Sequence, residues 1–302
     1  MAVAMVPELC QSALTSFWVL HSNDQMNNTE GKTTSTDRIH SATASVLVYW
    51  IGYVVITALV GFLTSQLISS EVWQLIAWGL ISSVGLLLLS HFMHARTAST
   101  VRLVPHRLNA RGLKLFAWGL FLGVVSFAVH VLIITRLTGP IAFELNPAVG
   151  VFTVLIFFLR FVATSWMEEL GFRGYALQRL IPAFGVWFAV ILSAVVFGLS
   201  HLLYGWDFQT ILLGVIPPGM LWGMSAVVTR GIAMPIGLHA AWNFSAWTSG
   251  TRKETGLLQM VVDENNINTT VTTSSYLLIF GLMTLGFWWY GQKRQSNRGA
   301  SV

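Results

Sequence analysis

Eight mostly apolar stretches, each long enough to cross a bilayer, leave this chain few folds to adopt. They run over 46–68, 72–93, 113–135, 147–166, 183–203, 210–229, 232–249 and 274–291. A helix needs roughly 20 such residues to span the hydrocarbon core. In lipid, only helices and closed barrels satisfy every backbone N–H and C=O. Charge agrees: 10% of residues are charged, against roughly 25% in soluble domains. The sequence therefore reads as an all-α, polytopic integral membrane bundle of about eight helices over 46–291. A polar Ser/Thr/Asn-rich segment within 1–45, expected to be disordered, precedes it, and a basic tail at 292–302 follows.

Composition narrows the function classes. The single Cys10 excludes a disulfide framework and a cysteine-based zinc site. The net charge of +5 does not point to nucleic acid, because membrane proteins collect Lys and Arg in their cytoplasmic loops. With eight spans and both termini in the cytoplasm of a cell-membrane protein, 13 of the 17 basic residues fall inside, Arg173 among them. Arg136, Arg252 and Lys253 fall outside, and Arg160 lies within a helix. Seven spans would put the basic tail on the wrong side and break this pattern.

Against that apolar background stand a few polar groups at membrane depth. Glu168-Glu169 are adjacent, and Arg173 follows one turn later. A carboxylate at the bilayer centre costs roughly 2.5–3.5 kcal/mol on insertion scales, so intramembrane ionisable residues mark function by default. Adjacent helical residues point about 100° apart, so the two glutamates need different roles. Glu169 and Arg173, at i and i+4, share a face and can pair. Glu168 is then left to face a cavity. Gly171 and Gly174 are expected to let another helix approach. His201 follows on a later apolar helix, and His239 and Asn243, again i and i+4, follow on another.

Taken one at a time, each element has a plain alternative: a solvated interfacial helix, a hydrogen-bonded core histidine, a pair gluing two helices. Together they hold almost every strongly polar side chain at membrane depth. Glutamate can take a proton from water, and histidine with asparagine can hold the water or stabilise an oxyanion. Glu168, His201, His239 and Asn243 are also acceptable ligands for zinc or another divalent metal, so a metal-dependent and a metal-independent site both fit. Arg160, one to two turns before Glu168, is a further candidate partner. His91, His94, His106 and His130 stand outside the set.

Glu168-Glu169-x-x-x-Arg173, Phe197-x-x-x-His201 and His239-x-x-x-Asn243, in this order on a multi-span chain, resemble the CPBP family. This family comprises CAAX prenyl proteases of type II together with bacteriocin-processing and immunity (Abi) proteins. The resemblance covers roughly 145–250. It implies an eight-helix intramembrane endopeptidase with a cavity opening toward the cytoplasmic side, acting on a membrane-associated peptide or C-terminal protein tail. It implies that Glu168 and His201 activate water, that His239 and Asn243 line the oxyanion side, and that Glu169 and Arg173 hold the motif helix. Members have been described both as metalloproteases and as glutamate proteases. Two other classes remain: an immunity or scaffolding membrane protein without peptidase activity, and a proton-coupled transporter. Intramembrane Glu, His and Arg also build proton relays. Transporters often carry inverted repeats, and the chain has no internal repeat.

Overall fold

The computed structural model describes residues 35–96, 109–251, 256–261 and 268–299. Nine helices of eight or more residues make up the described chain: α1 Ser35–Leu67, α2 Glu71–Arg96, α3 Ala110–Thr138, α4 Val151–Glu169, α5 Tyr175–Phe184, α6 Val186–Ser200, α7 Ile216–Thr229, α8 Ala233–Thr248 and α9 Thr269–Gly299. Helix α1 begins at Ser35, so residues 35–45 are helical and not the disordered segment expected. The helix continues backward through this polar stretch, and Ala42 and Ser45, with Val46, pack inward to anchor it. The rest of that segment lies outside the described residues.

Helices α4 and α5 are one membrane-crossing unit, Val151–Phe184, joined by a π-helical turn at Leu170–Gly174. Among the described residues, seven helices qualify as membrane spans by length and apolarity. The eighth expected span is α8, which has only 16 residues, about 24 Å at 1.5 Å per residue. It still crosses. Arg111, at the start of α3, donates to the carbonyl of Thr229 just before α8. Beyond the other ends, β1 Ala142–Leu145 follows α3 and pairs antiparallel with β2 Leu258–Val261, which follows α8. Helices α3 and α8 therefore run parallel from one face to the other. This small sheet was not foreseen in the sequence. Asn146 fastens it by donating from its side chain to the carbonyl of Gly256.

Eight passes place both ends of the described chain on one face, called here the terminus face. The opposite face carries the α1–α2 turn, the small sheet and the loop at 205–207. The outward surface is apolar: Phe62, Leu88, Leu155 and Leu282 are each at least 60% exposed, as lipid-facing side chains are. The protein is a multi-pass membrane protein.

Small residues set how closely the helices pack. A side chain on Gly119 would strike the Met234 carbonyl, and one on Gly237 the Phe116 carbonyl, so α3 and α8 touch backbone to backbone. Gly171 accommodates the Tyr53 ring from α1. Gly174, expected to do the same, meets only ordinary contacts; its use lies in the distorted end of the π-turn, at φ −69 and ψ −109.

Candidate active site

A π-turn frees backbone groups from the regular i→i−4 ladder, and in an apolar interior they need other partners. Tyr49 from α1 donates its hydroxyl to the Leu170 carbonyl at 3.0 Å. Ser193 from α6 donates to the Phe172 carbonyl at 2.9 Å. The motif helix is thus clamped from both sides at the turn that follows the glutamates.

The same logic explains the Pro217-Pro218-Gly219 segment. Pro218 has no N–H for the Gly214 carbonyl four residues earlier, and the Tyr276 hydroxyl donates there instead. A second π-turn, Ile211–Val215, precedes α7, and the prolines occupy its first turn. The departure from regular α-helix therefore lies just before the prolines. Gly219 has its own use: its carbonyl accepts Arg173 Nη2 at 2.8 Å. A Cβ there would lie 3.1 Å from that nitrogen.

The expected pair forms. Arg173 Nη1 donates to Glu169 Oε1 at 3.4 Å, with both side chains wholly buried. The guanidinium also lies over Phe197, 4.6 Å from the ring centroid. His239, expected to line the oxyanion side, lies between the two carboxylates. Its Nδ1 lies 3.0 Å from Glu169 Oε1, and its Nε2 lies 3.4 Å from Glu168 Oε2. The Nδ1 contact is a hydrogen bond, whereas Nε2 stands in ion-pair range of Glu168. Arg173 sets a positive charge against the buried Glu169 carboxylate, as an apolar interior requires.

Trp222 of α7 fixes the imidazole plane, stacking on it at 3.7 Å with rings 13° apart. His201 begins the short 3₁₀ turn after α6 and sets its Nδ1 2.9 Å from the Phe197 carbonyl. A carbonyl only accepts, so Nδ1 carries the proton in this bond.

Glu168, His201, His239 and Asn243 line one cavity of about 430 Å³, with Trp222, Tyr204, Trp206 and Arg160 among the other lining residues. Glu168 is 16% exposed there, while Glu169 is sealed. The division of labour expected for the glutamates is thus present in space. Glu169 and Arg173 lie outside the cavity lining, and their place is behind His239. Arg160 lines the wall and lies over Phe157 and Phe161. Sequence reasoning passed over Trp222, Tyr49 and Ser193. They look like ordinary core residues, and only their partners distinguish them.

These groups do not gather as a preformed metal site. His239 turns both nitrogens to carboxylates, and His201 commits Nδ1 to a carbonyl. Among the described residues no three His, Cys, Asp or Glu side chains are placed to share one ion.

Residues 150–245 match the family described as type II CAAX prenyl endopeptidase Rce1-like. This segment is Rce1-like. It holds all six polar residues named from the motifs, and it agrees with the CPBP resemblance read from them. No curated protein matches the chain. The Rce1-like match and the apolar helices together support a CAAX-type intramembrane protease.

Proposed function

We propose that this protein is an intramembrane endopeptidase that hydrolyses a peptide bond in a membrane-associated protein tail or peptide, with Glu168 as general base. The observation that carries this reading is the pairing of Glu168 with His239 at 3.4 Å on the wall of a cavity that also takes in His201 and Asn243.

A water in the cavity gives one proton to the Glu168 carboxylate as its oxygen attacks the scissile carbonyl. The carbonyl π electrons move to oxygen. The Asn243 amide donates to that oxyanion. His201 Nε2 accepts from the attacking water and holds it. The tetrahedral species collapses, the C–N bond breaks, and the proton on Glu168 passes to the leaving nitrogen. The products are one carboxylic acid and one amine. Such proton transfer contributes roughly 10²–10⁴-fold to a rate.

Glu169 and Arg173 act through His239. Arg173 ties Glu169 to Gly219, and Glu169 then holds Nδ1, which aims Nε2 at Glu168.

The test is product analysis by mass spectrometry. Purified protein in detergent is given a prenylated C-terminal peptide and an unprenylated hydrophobic peptide. Cleavage by the natural chain and none by His201→Ala or Glu168→Ala supports the reading. Equal cleavage by both variants ends it.

A further inference from the structure

Two expectations read from the sequence cannot hold together. The basic residues put both termini in the cytoplasm, and the family resemblance opens the cavity there too. The lining residues place the cavity in the opposite half of the bundle. Many come from the C-terminal part of α1 (Gly61), the first turns of α2 (Gln74, Trp78), the second half of α4 (Arg160, Thr164, Glu168) and the end of α6 onward (His201, Tyr204, Trp206). Tyr276 lies near the start of α9. These helix portions are at or toward the end away from the terminus face, while Trp222 and His239, near the middle of the membrane, form the cavity's inner end. At that far end Tyr204 and Trp206 are 47% and 43% exposed, as aromatic side chains are at a bilayer interface.

The charges decide which expectation gives way. Arg173, counted in the sequence as a cytoplasmic loop residue, is 1% exposed inside the bundle. Arg179 stays on the terminus face, donating to Ser41 at the start of α1. Among the described residues, taken by the connection or helix end they occupy, nine basic residues are on the terminus face: Arg38, Arg96, Arg111, Lys114, Arg179, Arg230, Lys293, Arg294 and Arg298. Arg136 is the one at a helix end on the far face among the described residues. Acidic residues run the other way among the described residues, with Glu71, Glu144 and Asp207 on the far side and Asp37 on the terminus face. Lys/Arg bias over short loops sets membrane orientation.

We infer that the termini face the cytoplasm and that the cavity opens on the extracytoplasmic side, so that the substrate is an exported, membrane-associated peptide or protein segment. A prenylated protein held at the cytoplasmic surface would lie across the bilayer from this opening. The word substrate here rests on the protease reading; the orientation does not.

The experiment is cysteine labelling with a membrane-impermeant thiol reagent on intact spheroplasts, in a Cys10→Ser background that leaves no other thiol. Ser69→Cys reports the α1–α2 turn, Ser296→Cys the terminus face, and Thr164→Cys the cavity wall, with Tyr204→Cys as substitute if Thr164→Cys does not accumulate. The expected result is labelling of Ser69→Cys and the cavity probe without permeabilisation, and of Ser296→Cys only after it. Labelling of Ser296→Cys on intact spheroplasts would overturn the orientation. Labelling of Ser69→Cys outside with a cavity probe reached only after permeabilisation would overturn the access route. Labelling needs no turnover, so a chain that labels as expected yet cleaves neither test peptide would refute the protease and leave the orientation standing.

Discussion

The Trp222 indole lies flat on the His239 imidazole, 3.7 Å between centroids. A ring touching two carboxylates through its edges can swing only about the axis joining its nitrogens, and the indole blocks that swing. Trp222→Ala removes the block. Aromatic pairs contribute about 0.5–1.5 kcal/mol beyond their buried area, so kcat is expected to fall by roughly 2- to 12-fold through this term, with a smaller loss in Trp222→Phe. Steady-state kinetics in detergent check it. Equal losses in both variants would speak against stacking as the cause.

Arg173 holds two acceptors at once, Glu169 through Nη1 and the Gly219 carbonyl through Nη2. An ammonium is a point charge without that fork. Arg173→Ala leaves Glu169 and its neighbours with a buried, uncompensated charge, which costs about 3–5 kcal/mol. Arg173→Ala is expected to yield little folded protein, while Arg173→Lys folds with a lowered melting temperature and weak activity. Thermal unfolding in detergent distinguishes the two.

Gly219→Ala puts a methyl group 3.1 Å from Arg173 Nη2 and 3.2 Å from the Ala194 Cβ. Overpacking of this kind typically costs about 1–3 kcal/mol. Gly237→Ala is expected to be worse. There the added carbon meets the Phe116 carbonyl and Leu120 nitrogen of α3, and backbone cannot rotate aside as a side chain can. Melting temperatures of the two variants, measured side by side, rank them.

Tyr49→Phe removes the hydroxyl that donates to the Leu170 carbonyl and meets the Ser90 hydroxyl at a fully buried position. Leaving a buried acceptor unsatisfied costs about 1–3 kcal/mol. Because the carbonyl belongs to the turn just after Glu169, loss of stability should be accompanied by loss of kcat with little change in KM. A variant with lowered stability and unchanged kcat would show that the clamp supports the fold alone.

Much of this architecture was legible in the sequence because lipid imposes a coarse rule. Each expected span falls on a helix, since an apolar run of that length has few alternatives. The partition of Glu168 from Glu169 was legible too, because i and i+4 geometry follows from helical pitch alone. What escaped has a common cause. The bridge from His239 to both glutamates depends on the close approach of α8 to α4, and no local pattern encodes an interhelical distance. The Tyr49 and Ser193 clamps answer π-turns that the sequence does not announce. The 142–145 and 258–261 strands pair across more than a hundred residues, beyond the reach of any local signal. The side on which the cavity opens needed the register of all the helices at once.

The central claim is that Glu168, held beside His239, takes the proton of the attacking water. Its most direct test is the turnover of Glu168→Gln, which keeps size and polarity but cannot act as a base, measured against the natural chain at matched folded concentration. The account predicts a fall in kcat of roughly 10²-fold or more with an unchanged melting profile. Turnover within a few-fold of the natural chain would contradict it.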